Sequence, residues 1–377
     1  MKHHRARPGH ARPGLAMSSQ WALFRSLCRV IGGQDNTALQ SAAHTGVLPD
    51  LIEMAAQRNL LPAMAMRISE QPAYTDAITS LDRKRLHDAW RQNTTGNMQT
   101  SMQALKIARA LNTVGISPVF LKGTAQLLTT NAARLGFRNQ LDIDLVVPRG
   151  ALRPACEALI KSGYGFQRES TGHETAAALF HDVSRALKIS AAHHHLPPLV
   201  MEGYGSSVEV HRHFLPRQVQ HNIPLQPMLD ASVRCQNHGA VFQVPSIEYQ
   251  IIHIVMGKLV CDGYLARRDF PIREACDYIH LLDSARRPID HQLVTRHCGN
   301  RYALFAGLAA ELMAYESNPV TGCETAVQGR LRTMERRYES NRFACLLNAH
   351  ARASHLIRQL LYSPSKLPAY LYRAGHT

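Results

Sequence analysis

No two cysteines of this 377-residue chain are spaced as C-x-x-C; the eight stand apart at positions 28, 156, 235, 261, 276, 298, 323 and 345. With no secretory context to oxidise them, they read as reduced core thiols of a cytoplasmic protein. Long apolar runs are missing too. Residues 302–308 and 251–256 are among the longest, well short of the ~18 apolar residues of a membrane helix, and no membrane partner is expected. Acidic residues are scarce, 28 against 43 Lys and Arg. The formal charge of +15 favours polyanions without choosing among nucleotide phosphates, nucleic acid and anionic lipid. The first 19 residues contain no acid at all and lack the apolar segment of a secretory signal. They read as a disordered basic leader, or as an over-extended start with Met17 as the initiator. Pro8 and Pro13 disfavour the amphipathic helix of a transit peptide. No G-x-x-x-x-G-K-S/T frame surrounds Gly123, which argues against a P-loop kinase.

What is present is an apolar fraction of 45%, ordinary for a chain with sizeable cores. Over residues 20–111 apolar residues recur at helical spacing, as in Leu51, Met54 and Ala55, then Leu60, Leu61 and Met64. This region is expected to be helical, with one long helix or two in tandem across 81–111, where Gly96 is the one breaker. Over residues 112–244 the texture changes. Residues 117–121, 143–147 and 207–214 read as strands, and 187–191 as a weaker fourth. Residues 124–135 and 151–162 read as helices, the second stopped by Gly163. Over residues 245–377 the helical pattern returns, with Ser246 as a cap, at 247–260, 270–282, 303–315 and 343–361.

In Leu141-Asp142-Ile143-Asp144-Leu145-Val146-Val147 the two-residue period of a strand puts Asp142 and Asp144 on one face and Ile143, Leu145 and Val147 on the other. Two carboxylates on one face repel unless a cation lies between them, and hard divalent ions such as Mg²⁺ take oxygen ligands. A solvated strand end with two unrelated aspartates is the plainer alternative. Upstream, Phe120-Leu121-Lys122-Gly123-Thr124 runs from a strand end into a helix. There a glycine lets phosphate oxygens approach the backbone and the helix start offers free N–H groups. Lys122 adds a positive charge, and Arg138 either reaches a triphosphate or sits as a surface arginine.

In Val208-Glu209-Val210-His211-Arg212-His213 the residues Glu209, His211 and His213 share a face. Glu209 is thus a third carboxylate on a separate strand, as two-metal phosphoryl chemistry requires. His211 either fills a core or hydrogen-bonds around Glu209 and the substrate. His193, His194 and His195 precede Pro197 and Pro198 in a loop leaving a strand; three adjacent side chains cannot all turn to one ion, which argues against zinc.

The order L-K-G at 121–123, R-x-x-x-D-I-D-L-V-V at 138–147, H-H-L-P-P-L at 194–199 and V-E-V-H at 208–211 resembles the uncharacterised nucleotidyltransferase family of bacteria, within the DNA polymerase β-like superfold. The likeness runs over about residues 36–282, where Arg273 and Asp277 make a further R-x-x-x-D pattern. The resemblance implies an α+β fold, a small mixed-sheet nucleotidyltransferase core flanked by N- and C-terminal helical regions. It implies catalytic metal ligands at Asp142, Asp144 and Glu209, and a triphosphate-binding turn at Lys122, Gly123 and Thr124 beside Arg138. Two Mg²⁺ ions follow, with Mn²⁺ an alternative. The donor is a nucleoside triphosphate such as ATP; the acceptor is a hydroxyl on a small molecule, protein or nucleic acid. Leu141 departs from the pattern, since a small residue often precedes the first aspartate.

Two other readings compete. A metal-dependent glycosyltransferase also holds a nucleotide-sugar diphosphate through D-x-D, but the Lys-Gly-Thr turn before that strand and the carboxylate after it disfavour this reading. A basic binding module, for RNA or as an antitoxin-like partner of another protein, would keep the fold without the chemistry. The expectation is nucleotidyl transfer: an acceptor hydroxyl attacks the α-phosphorus and pyrophosphate leaves, with the nucleotide lying between the sheet core and the helices.

Overall fold

The computed structural model describes residues 19–33, 36–71, 77–131, 134–167, 179–220, 222–316 and 322–362. The expected basic leader therefore lies, up to residue 18, outside the described residues. Eight strands form one sheet: β1 (Val119–Phe120), β2 (Asp142–Val146), β3 (Gly165–Gln167), β4 (Leu179–Phe180), β5 (Leu199–Val200), β6 (Ser207–His211), β7 (Val233–Asn237) and β8 (Ala240–Val244). They lie in the order β4-β3-β5-β6-β2-β1-β8-β7. The sheet is mixed, because β2 runs parallel to β6 and antiparallel to β1, while β1 runs parallel to β8. Helices flank it, so the fold is α+β, as expected.

The strand period at the centre of the sheet is obeyed. Ile143, Leu145, Val147, Val208 and Val210 are buried on one face with Phe120 and Phe242. They pack against Ala104, Ile107, Ala108 and Leu111 of the helix Ser80–Asn112 and against the helix Leu152–Lys161. Burying each such side chain is worth roughly 1.5–3 kcal/mol. Ser80–Asn112 is one unbroken helix, opened by Thr79, whose hydroxyl accepts the Asp82 N–H. Gly96 does not interrupt it and borders open space.

The opposite face of the sheet, which carries Asp144 and Val146, is covered by a second core. It joins the N-terminal helices to the C-terminal ones and takes in Val119, Leu121 and Val146. Phe24 of the helix Gln20–Gly32 stacks on Tyr338 of Glu324–Glu339 with ring centroids 4.4 Å apart. The helical regions from the two ends of the chain thus pack as one layer, and a cleft opens between that layer and the carboxylate face of the sheet.

Residues 187–191 are not a strand. They lie in the helix Val183–Ile189 and the turn Ser190–Ala192 that follows it. Over so few residues apolar spacing fits either period; the Asp182 side chain, which accepts the Arg185 N–H, supplies the helix cap that decides the outcome. The helix expected at 247–260 changes character midway. Ile247–His253 is α-helical and Ile254–Cys261 widens into a π-helix, a local form frequent at functional sites.

Candidate active site

Parallel pairing of β2 with β6 sets Asp142 beside Ser207 and Asp144 beside Glu209. Because the valines of β6 point into the sheet core, Glu209 and His211 emerge on the same side as the aspartates. Asp144 Oδ1 accepts from Lys122 Nζ at 2.5 Å and faces His211 Nε2 at 2.8 Å. The same imidazole nitrogen lies 3.4 Å from Glu209 Oε2. Asp144 and His211 are buried, whereas Asp142 and Glu209 are half-buried. Burial opposes the charge on Asp144, but Lys122 and His211 outweigh it and hold this carboxyl well below the usual range. Burial and the charge of Asp144 push Asp142 the other way. Burial disfavours the imidazolium of His211, yet the carboxylates on either side raise its pKa. The same contact keeps Glu209 low against its own burial.

The turn before these strands is held by β2 itself. Leu121 N–H donates to the Asp144 carbonyl at 2.9 Å, and the Asp144 N–H donates to Thr124 Oγ1 at 3.2 Å. Thr124 is buried against the backbone of β2 and does not line the cleft; Lys122 and Gly123 do. Lys122 adopts φ 51°, a left-handed conformation that costs a residue with a Cβ. A Cβ on Gly123 would collide with the Arg138 guanidinium and the Gln140 side-chain oxygen. The glycine therefore makes room for Arg138.

Arg138 is anchored and does not project freely. Its Nε donates to Asp277 Oδ2 at 2.9 Å, and its Nη1 binds the Gln140 side chain. Its carbonyl accepts from Asn97 Nδ2 at 2.7 Å and from Asn93 Nδ2 at 3.1 Å, so the long helix clamps the segment leading into β2. Gln140 continues the chain to the Asp142 carbonyl.

The cleft, of about 220 Å³, runs from Lys122, Asp142 and Asp144 to Tyr249, His253 and Lys258 on the C-terminal helices. A family model described as an uncharacterised nucleotidyltransferase matches residues 48–313. The chain belongs to this nucleotidyltransferase family. No curated protein and no solved structure matches it.

For a nucleotidyltransferase, the donor set around Asp144 decides whether a divalent cation fits. Asp144 Oδ2 is buried and has no hydrogen-bond partner, a costly state that a cation relieves. One oxygen each of Asp144 and Glu209 and one nitrogen of His211 lie within 4.8 Å of one another, close enough to share an ion. Asp142 borders the same cleft without joining this trio. The residues fit a divalent ion with two oxygen donors and an imidazole. The tract before β5 packs on this nucleotidyltransferase centre: the rings of His194 and His195 lie 5.3 and 5.5 Å from that of His211. Burial above all lowers the pKa of both. His213 is a packing residue, stacked on Phe214 and pushed down to about 4 by burial. Leu141 is 70% exposed and lines the cleft beside Asp142.

Sequence reasoning missed Gln140, Asn97, Tyr249, His253 and Lys258. Gln140 lies inside the R-x-x-x-D-I-D tract and binds its own neighbours Arg138 and Asp142, whereas Asn97, Tyr249, His253 and Lys258 lie in no short motif and meet the site only through the fold. The R-x-x-x-D pattern was a usable signal for Asp277, although its partner is Arg138 and not Arg273, which pairs with Glu274 at 2.7 Å.

Proposed function

We propose that the chain transfers a nucleoside monophosphate from a nucleoside triphosphate to a hydroxyl-bearing acceptor, releasing pyrophosphate. The observation that carries this reading is the in-register pairing of Asp144 with Glu209 around a buried, unpartnered carboxylate oxygen. It stands at the end of a cleft that opens on the Lys122–Gly123 turn. Such an arrangement suits the DNA polymerase β-like superfold, with Asp142, Asp144 and Glu209 as the metal ligands of two Mg²⁺ or Mn²⁺ ions.

A divalent ion bound there supplies charge stabilisation for the phosphoryl oxygens and a more acidic acceptor hydroxyl. The chain's own groups do the rest. Asp142 and Asp144 line the cleft, where they would meet the triphosphate, and Glu209, paired with Asp144, would serve the acceptor. Lys122 offsets negative charge beside Asp144, so the triphosphate enters a site that is not dominated by carboxylates. His211 positions both Asp144 and Glu209 by touching each. Arg138, fixed by Asp277, forms the wall against which the phosphates lie, and Tyr249 and His253 line the region left for the nucleoside. The eight cysteines are free thiols, which suits a cytoplasmic reaction, and no helix among the described residues is long and apolar enough to cross a membrane.

The test is a screen of the four common triphosphates against cell extract, followed by mass spectrometry of the modified acceptor. A nucleoside monophosphate adduct supports the proposal. A sugar adduct from a nucleotide sugar, with no nucleotide adduct, rejects it in favour of the glycosyltransferase reading.

A further inference from the structure

Beyond the ends of β2 and β6 lies a second pocket, of about 310 Å³, which shares no lining residue with the first. Arg149, Arg212, Arg217 and His193 line it, and no carboxylate does. Arg212 is held by neutral acceptors, with Nη2 donating to the Leu187 carbonyl at 2.7 Å and to Ser190 Oγ at 2.9 Å. Its Nε is buried without a partner. Arg217 Nη1 reaches the Ala191 carbonyl at 3.3 Å. The Arg149 side chain has no hydrogen bond or ion pair among the described residues. Leu152 begins the helix Leu152–Lys161 and also lines the pocket, so the positive end of that helix adds to the field.

Three guanidinium groups gathered without a counter-charge repel one another. An oxyanion relieves that repulsion, and the planar fork of arginine matches phosphate oxygens two at a time. The pocket is also tied to the catalytic centre. Val147 and Arg212 directly follow β2 and β6, about 10 Å along the strand from Asp144 at ~3.3 Å per residue, with Val147 packed on the face opposite the carboxylates. His193 begins the tract whose next two rings pack on His211.

We propose that this pocket binds a phosphate group of the acceptor, so that the molecule modified is a phosphate ester. The role as acceptor subsite rests on the nucleotidyl-transfer reading; the phosphate site itself does not. Two sources carry the same chemistry, a nucleic-acid backbone and a small phosphate ester.

The test uses the full chain and the double variant Arg149→Glu/Arg217→Glu, whose side chains are both exposed. Two probes are titrated, a short labelled single-stranded RNA and inorganic phosphate, and triphosphate binding is measured on the same samples. At least one probe should bind the parent and weaken by about tenfold or more in the double variant, the loss expected when charge-assisted contacts go. Triphosphate affinity should be unchanged, and Arg149→Lys/Arg217→Lys should restore binding of the probe. Weakened RNA binding identifies a strand acceptor; weakened phosphate binding without RNA binding identifies a small ester. Failure of both probes to bind the parent, or equal binding by parent and double variant, overturns the phosphate site. Absence of triphosphate binding by the parent counts against the nucleotidyl-transfer reading instead, and leaves the probe result to be read alone.

Discussion

Asp144 lies opposite Glu209 across the parallel ladder of β2 and β6, and His211 Nε2 lies 2.8 Å from the first carboxylate and 3.4 Å from the second. Lys122 already neutralises one oxygen of Asp144, while the other is buried without a partner. On the proposed reading the carboxylates would divide the labour: Asp144, tied to Lys122, would serve the phosphate side, and Glu209, half-buried beside His211, would serve the acceptor side.

Glu209→Gln should spare triphosphate affinity and lower turnover on the order of a hundredfold or more, because the ion that activates the acceptor matters mainly in the transition state. Triphosphate affinity and single-turnover rate, measured on one preparation, check this. A variant turning over at the parent rate would remove Glu209 from the chemistry.

Lys122→Ala and Lys122→Gly should both weaken triphosphate binding by about 1–3 kcal/mol, the cost of a lost charge-assisted hydrogen bond. They should differ in stability. The backbone at this position has φ 51°, so glycine should be the more stable replacement by roughly 1 kcal/mol. Urea denaturation of the two variants gives the difference, and equal midpoints would show that the turn carries no strain.

Gly123→Ala should displace Arg138 from its place beside Gln140 and Asp277 and leave the fold intact, because the atoms it meets are the ends of flexible side chains. Triphosphate affinity should fall by about tenfold, and the melting temperature should fall too, because Asp277 loses its Arg138 partner. Gly96→Ala, which faces open space in a helix interior, should instead stabilise the protein by about 0.5–1 kcal/mol. A Gly123→Ala protein that binds triphosphate as the parent does would show that Arg138 can leave without cost.

Asp269 ties the N-terminal helices to the C-terminal ones. It forms an ion pair with Arg337 at 2.7 Å and with Arg58 at 3.6 Å, and accepts from the Tyr338 hydroxyl at 2.9 Å. Burial raises its pKa, but the two arginines prevail and hold the carboxyl below its usual range. A depressed carboxyl contributes stability that is present above its unfolded pKa, about 3.9, and is lost as pH falls through the folded value. Asp269→Asn should cost about 3–5 kcal/mol at neutral pH, since it leaves two partly buried arginines unpaired. It should also flatten the acid limb of the stability curve. Chemical denaturation from neutral pH down to acid, on parent and variant, tests both; parallel acid limbs would show that Asp269 does not carry this linkage.

Much of the site was legible because strand alternation is local. Asp142, Asp144 and Glu209 declare their faces through the apolar residues between them, and those residues fill one core as the period requires. The register that sets Asp144 against Glu209 is a long-range pairing, and no pattern within either strand encodes it. Strands β3, β4 and β5 were missed because two or three residues carry no period, and the hairpin of β7 and β8 was missed as well. Thr124 and Arg138 were legible as neighbours of the turn, but their engagement with the β2 backbone and with Asp277 depends on packing. His211 sat on the right face, yet only the closeness of both carboxylates shows what it does there. The arginine pocket was invisible in the sequence, because Arg149, Arg212 and Arg217 come from separate elements.

The most direct measurement follows a triphosphate labelled at the α- or the γ-phosphorus through incubation with cell extract and Mg²⁺ or Mn²⁺, using the parent and Asp144→Asn. Nucleotidyl transfer puts the α label into the acceptor and the γ label into pyrophosphate, and Asp144→Asn reduces incorporation to background. A γ label in the acceptor, or α incorporation undiminished in Asp144→Asn, would contradict transfer at this centre.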